Sequence, residues 1–236
     1  MLLCVIPARG KSKRIPGKNT KIFCGKPIIA YSIETAHKSK LFHRIVVSTD
    51  DEETAKISKK FGAEVPFMRP AKLADDLTGV TQVVKHALEW FMDKGASINY
   101  VCCISATAPL LQVEVLKQGF QKLKEENRNI EYVFPVTRFG FPIQRALKLK
   151  KEGAVEPFFP EHISSRSQDL VPAFHDAGQF YWGRAEAYLK EHEPLNSSSI
   201  GLILPRYLVQ DIDDKEDWRQ AELLYEFSRG ARSGKE

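Results

Sequence analysis

Directly after an apolar run, LLCVIP, the chain reads RGKSKRIPGKN from Arg9 to Asn19. Arg9, Lys11, Lys13, Arg14 and Lys18 stand here beside Gly10 and Gly17. If the apolar run is a strand, its end delivers backbone N–H groups and side-chain cations to one small volume, which suits a triphosphate. Arg9, nearest the strand end, can grip phosphate with both arms of its guanidinium, and Asn19 can donate and accept at a nucleobase edge. The stretch fits neither GxGxxG nor GxxxxGK[ST], so a dinucleotide-binding enzyme and a Walker ATPase both lose support. A solvated basic loop would also explain the charge, and Lys11 and Lys13 read as solvent-facing at least as readily as phosphate-facing.

The acidic residues offer the complementary chemistry. In VQDIDD, Asp211 and Asp213 lie two apart, so in an extended segment both project on one side and can share a hard, oxygen-seeking ion such as Mg²⁺. Asp214 and Asp217 read instead as the cap and first turn of a helix. Asp50 to Glu53, between a strand and a helix, is explained by stabilisation of a helix N-terminus. Asp75 and Asp76 end a loop segment, with Thr78 and Thr81 within reach, and are functional candidates of lower weight than Asp211 and Asp213.

These side chains need a scaffold, and the chain supplies one. Its 236 residues, 43% hydrophobic, suffice for a single α/β domain over residues 1–230. The strands LLCVIP, RIVVST, YVCCISA and YVFPVT alternate with the helices PIIAYSIETAHKS, DEETAKISKKFG, VTQVVKHALEWFMDKG and VEVLKQGFQKLKEEN, the rhythm of a largely parallel sheet flanked by helices. Gly62 and Gly95 follow two of the helices as left-handed terminators. After Thr137 the pattern breaks into a proline- and aromatic-rich stretch of strands and long loops; a terminal helix, DKEDWRQAELLYEFSRG, then precedes a tail at 231–236 expected to fray.

Composition removes several function classes. Net charge is +5, from 35 basic and 30 acidic residues, which is too mild for a polyanion binder, and no nucleic-acid motif is present. No run approaches the roughly 20 apolar residues of a membrane span, and no signal peptide is evident, so a cytoplasmic protein without a membrane partner is expected. The four cysteines form no CxxC or Cys/His pattern and read as free thiols.

The string IPARGKSKRIPGKNTKIFCGKPIIAYSIETA resembles the opening of the sugar-activating cytidylyltransferases that make CMP-linked nonulosonic and octulosonic acids. Ala8, Arg9, Ser12, Arg14, Lys18 and Asn19 fall in order on that family's ARxxSxRxxxKN signature. Similar segments follow in the same order: IVVSTDDEETAKISKKFGAEVPFMRPAKLADD, TAPLL and VQDIDDKEDWRQAE. RSQDLVPAFHDAGQFYWGRAEAYL and FPIQRALKL look most like the branch that uses pseudaminic acid. One departure is Ser105-Ala106 before TAPL, where sialic-acid members commonly carry Gln-Pro, so a contact made by that glutamine does not carry over.

The resemblance implies a Rossmann-like nucleotide-diphospho-sugar transferase fold and attack by the anomeric hydroxyl of a nine-carbon sugar acid on the α-phosphorus of CTP, displacing pyrophosphate. It implies a nucleotide site drawn from Ala8, Arg9, Gly10, Ser12, Arg14, Lys18, Asn19, Asp76, Thr78 and Thr81, with Arg9, Lys18, Asp211 and Asp213 catalytic and the last two holding Mg²⁺. The acid's carboxylate, acylamino and hydroxyl groups call for Arg, His, Gln, Ser and Tyr, and the irregular segment offers Gln144, Arg145, Arg166, Gln168, His175, Asp176 and Gln179. For His175 a loop-tethering bond is an equally plain reading. A homodimer, with residues 138–168 as a small dimerisation lobe, is expected by analogy. The competing classes are a metal-dependent glycosyltransferase, which would place a DxD-type pair at a middle strand end where CCISATAPLL has none, and a nucleic-acid module.

Overall fold

The computed structural model describes residues 1–75, 77–126 and 129–233. The strands are β1 (Leu2–Pro7), β2 (Ile22–Phe23), β3 (Lys26–Pro27), β4 (Arg44–Ser48), β5 (Tyr100–Ile104), β6 (Tyr132–Arg138), β7 (Leu147–Leu149), β8 (Val155–Pro157), β9 (Phe174–Asp176), β10 (Phe180–Arg184) and β11 (Ser199–Leu204). The α-helices are α1 (Ile28–Ser39), α2 (Glu52–Lys60), α3 (Val80–Met92), α4 (Val113–Glu125), α5 (Ala185–Leu189) and α6 (Lys215–Ser233). The main sheet runs β11-β6-β10-β5-β1-β4, with β9 also paired to β6. Strands β4, β1, β5, β6 and β11 point one way; β10 and β9 oppose them.

The sheet is covered on both faces, which is why its parallel strands read as unbroken apolar runs. Alternate residues of β1 show the division: Cys4 and Ile6 pack with Ile29 and Ile33 of α1 and Leu116 of α4, whereas Leu3 and Val5 pack with Val84, Leu88 and Phe91 of α3. Cys4, Cys102 and Cys103 are buried free thiols whose pKa values are pushed up by burial. Pro135 is tolerated inside β6 because it sits where the neighbouring strand changes: β10 pairs with Tyr132 and Val133, and β9 with Val136 to Arg138.

The four strands and four helices expected before Thr137 all form. Gly62 and Gly95 both take positive φ, 93° and 83°, where a side chain would be strained. The stretch after Thr137 holds strands as expected, among them the central antiparallel strand β10, and also the short helix α5, which was not expected. The terminal helix continues to Ser233, so residues 231–233 of the expected frayed tail are helical; 234–236 lie outside the described residues. Residues 138–168 form a largely exposed lobe built on the β7–β8 hairpin and several single-turn helices.

A third cluster positions the chemistry. Ile15 from the basic loop, Phe23, Ile28, Tyr31, Ile212, Trp218 and Ala221 form one buried group, with Phe23 edge-on to both Tyr31 and Trp218 at 5.5 Å. Ile15 and Ile212 therefore act as pegs that draw the basic loop against the VQDIDD segment. Because Ile212 points inward, Asp211 and Asp213 on either side of it point outward together.

Candidate active site

The loop after β1 is fixed at several points along its backbone. The N–H of Ala8 donates to the Ser48 carbonyl at 2.9 Å, that of Gly10 to Asp50 Oδ1 at 2.8 Å, and Asn19 Nδ2 to the Arg9 carbonyl at 2.9 Å. Gly10 lies so close to α2 that a Cβ there would stand 2.6 Å from Asp51 Cβ. Asp50 and Asp51 thus divide their work. Asp51 caps α2, its Oδ2 accepting from the Thr54 N–H at 2.7 Å, as expected for this acidic run, but Asp50 anchors the basic loop instead of serving the helix.

Across from the loop, Arg14 Nη2 donates to Asp213 Oδ1 at 2.6 Å, and Lys18 Nζ donates to the Ile212 carbonyl at 2.6 Å while standing 4.0 Å from Asp213 Oδ1. Burial lowers the pKa of Lys18; the charges of Asp213 and Asp211 oppose that, and Arg14 and Arg9 add to it. The Asp211 carboxyl keeps open surface, yet it sits in a crowded concavity: the atoms around it raise its pKa, Asp213 raises it further, and Lys18 only partly offsets both. Asp214 and Asp217 take the capping role. Asp214 Oδ1 accepts from the N–H groups of Glu216 and Asp217 at 2.8 and 3.0 Å, and Asp217 Oδ2 returns a bond to the Asp214 N–H at 3.0 Å.

Two clefts meet at Arg9. One, of about 490 Å³, is lined by Pro7, Arg9, Ser12, Lys13, Arg14, Lys18, Asn19 and the Ser105-Ala106-Thr107 turn after β5. The other, of about 580 Å³, is lined by Arg9, Lys11, Lys13, Asp50, Arg69, Ala71, Ala74 and Asp75. Arg9 Nη1 donates to the Asp75 carbonyl at 2.9 Å and so ties the loop to the second cleft. Asp75 Oδ1 folds its own segment, accepting from the backbone and hydroxyl of Thr78, both at 2.7 Å. Asp76 lies outside the described residues. Thr81 is buried at the start of α3, its Oγ1 without a hydrogen-bond partner among the described residues, so it presents no open surface.

Arg69 is a site residue that the sequence reading did not single out. It is only 6% exposed, its Nε donates to Ser48 Oγ at 3.2 Å, and burial lowers its pKa to about 10, with Asp50 opposing. The sequence signal was an arginine before a proline inside an otherwise functional-looking loop; its burial depends on β4 and could not be read locally.

The seven residues expected to hold the acid separate into two groups. Gln144, Arg145, Arg166 and Gln168 belong to the lobe. There Gln144 Nε2 donates to the Val171 carbonyl at 3.1 Å, Arg145 donates to the Ser165 carbonyl, and Arg166 is paired with Asp169 at 2.7 Å. His175, Asp176 and Gln179 lie on the strand-turn-strand connection from β9 to β10, beside Asp211. His175 Nδ1 meets the Asp176 carbonyl oxygen at 2.8 Å, the loop-tethering alternative. Gln179 is 3% exposed and its Nε2 donates to the Leu208 carbonyl at 2.6 Å, so it braces the segment leading to Asp211, while among the described residues its Oε1 has no partner. Tyr181, not singled out from sequence, donates its hydroxyl to Asp176 Oδ2.

The arrangement is a cationic floor and a carboxylate pair at the ends of the parallel strands, where ligands bind in open α/β sheets. A model of the cytidylyltransferase family matches residues 3–207. The chain is 45% identical over 223 residues to a pseudaminic acid cytidylyltransferase of Campylobacter jejuni, covering 94% of this chain and 95% of that one. It is 35% identical over 232 residues to a CMP-N,N'-diacetyllegionaminic acid synthase of Legionella pneumophila, with 98% of each covered. Among solved structures, a CMP:2-keto-3-deoxy-manno-octonic acid synthetase complexed with CTP superposes with a TM-score of 0.68 over 96% of this chain and 99% of that one; at 15% identity this is a likeness of fold. The signature over Ala8 to Asn19, the sheet that presents it and the extent of these matches lead to one conclusion: the chain belongs to the cytidylyltransferase family.

Proposed function

We propose that the protein transfers CMP from CTP to the anomeric hydroxyl of pseudaminic acid, releasing pyrophosphate. The observation that carries the reaction class is the docking of the basic loop on Asp211-Ile212-Asp213 through the Ile15–Ile212 cluster. In this reading Arg9, Arg14 and Lys18 take the triphosphate. Without such screening, two unit charges about 4 Å apart would repel by roughly 4 kcal/mol at an effective dielectric of 20. Arg14 and Lys18 meet acidic or carbonyl oxygens in the described structure, so binding the nucleotide exchanges those partners for phosphate oxygens. The cleft lined by Asp50, Arg69 and Asp75 is assigned to the nucleoside, with Asn19 holding the loop between it and the phosphates.

Asp211 and Asp213 fit Mg²⁺ by donor type; burial first, and then the charge of Asp213, raise the pKa of Asp211. Among the described residues no group of three or more His, Cys, Asp and Glu could hold a metal, so an ion here would take its remaining ligands from phosphate and water. When bound, Mg²⁺ would offset charge on the phosphates.

The choice of acid follows the identities, 45% to the pseudaminic acid enzyme against 35% to the diacetyllegionaminic acid enzyme; legionaminic and N-acetylneuraminic acids are the alternative substrates. The lobe supports a homodimer, since Phe141, Leu149 and Ile163 are 85%, 77% and 66% exposed on it. A cytoplasmic setting is consistent with four free cysteines, and among the described residues no helix is long and apolar enough to cross a membrane. Pyrophosphate release with CTP and each acid in turn tests the assignment; equal use of neuraminic and pseudaminic acid would remove the substrate while leaving the reaction class.

A further inference from the structure

Asp176 is a half-buried carboxylate that forms no ion pair among the described residues. Its Oδ1 accepts from the Gly178 N–H at 2.9 Å and its Oδ2 from the Tyr181 hydroxyl; neither donor carries a charge. Burial first, and then the neighbouring carboxylate, raise the pKa of Tyr181, so the phenol stays a proton donor to Asp176. The turn that follows Asp176 packs on the catalytic segment: Gly178, at φ 64°, lies where a Cβ would be 3.3 Å from Asp211 Cγ. One residue on, the Gln179 carbonyl accepts from the N–H of Ser105, a residue of the phosphate cleft, at 2.9 Å. The turn from β9 to β10 thus joins Asp211 to that cleft, and Asp176 at its start adds negative charge beside a site meant for two anions.

An uncompensated carboxylate in such a place works against both substrates unless one of them brings it a hydrogen. Each carboxylate oxygen has a lone pair left after its internal bond, and an acceptor-only group recognises N–H and O–H donors while repelling carboxylate and phosphate. We propose that Asp176 is a specificity-determining residue that accepts the N–H of an acylamino substituent on the acid substrate, with Tyr181 as its positioning residue. By its charge it also keeps the substrate's own carboxylate away from this turn. The inference rests on the reading above that the second substrate is a diacylamino sugar acid.

The experiment compares that acid with an analogue whose acylamino groups are replaced by O-acyl esters, which keep the shape and lose the N–H. Pyrophosphate release with CTP gives kcat/KM for each in the wild type, Asp176→Asn and Tyr181→Phe. The wild type is expected to prefer the amide by at least about tenfold, since a site that hydrogen-bonds a substrate group rejects the analogue lacking it. In Asp176→Asn, which can turn an N–H toward the ester, the ratio should fall toward one, and in Tyr181→Phe it should fall partway, with KM for CTP no higher than in the wild type. A wild-type ratio near one, or an Asp176→Asn variant that loses both substrates equally and keeps the wild-type ratio, overturns the inference. A wild type that releases no pyrophosphate with the diacylamino acid overturns the functional reading itself, and this inference with it.

Discussion

Lys18 carries two demands at once: it must be a cation for phosphate, and it must be buried enough to lie against the Ile212 carbonyl. The acids on either side of Ile212 help keep it protonated, so the loop and the carboxylate segment depend on each other electrostatically. Replacing Arg9 or Lys18 by Ala removes one charge-assisted contact and should cost about 1.5 to 3 kcal/mol of transition-state stabilisation, roughly ten- to a hundredfold in kcat/KM, with the circular dichroism spectrum unchanged. For the acids the expected contrast is functional against structural. Asp211→Asn and Asp213→Asn should weaken the response to Mg²⁺, measured as activity against metal concentration. Asp214→Asn should leave that response alone and lower thermal stability by about 1 kcal/mol or less, because Asn is itself a good cap. At this scale the sequence was informative where placement follows from local spacing, as in ARGKSKR and VQDIDD, which the fold brings together. It was uninformative for Arg69, Asp50 and Gln179, whose partners Ser48, Gly10 and Leu208 lie 21, 40 and 29 residues away.

Between elements, the decisive contact is a hydrophobic peg beneath a polar site. Ile212 is fully buried among Ile15, Trp218 and Tyr31, and Ile212→Ala should cost about 2 to 5 kcal/mol of unfolding free energy, read by denaturant melts. It should also lower activity at saturating substrate under conditions where the protein remains folded, because Asp211 and Asp213 are aimed by that side chain. A second test is steric: Gly10→Ala would force a Cβ against Asp51 Cβ at 2.6 Å, so the loop or α2 must shift, and KM for CTP should rise. The parallel strands were legible because burial on both faces leaves continuous apolar runs. Strand β10 was not, because FYWGR mixes aromatic, glycine and charged residues, and its place follows from pairing with both β5 and β6.

The molecule as a whole separates a packed three-layer body from a lobe that buries little of its own apolar surface. Phe141, Leu147, Leu149, Val155 and Ile163 are all exposed there, a density of apolar side chains that a monomer in water does not keep at low cost. Light scattering is expected to show a dimer, and Leu149→Glu together with Phe141→Glu should give a folded monomer. The lobe's existence was visible in the loss of helical period after Thr137; its shape was not, because its short strands and single turns carry no repeat of their own. The most direct measurement of the reaction is pyrophosphate released by the purified protein with Mg²⁺, pseudaminic acid and CTP, UTP or ATP in parallel. Release with CTP and formation of the CMP-linked acid, with at most traces from UTP and ATP, is the expected result. No release with CTP, or equal release with all three nucleotides, would contradict the account.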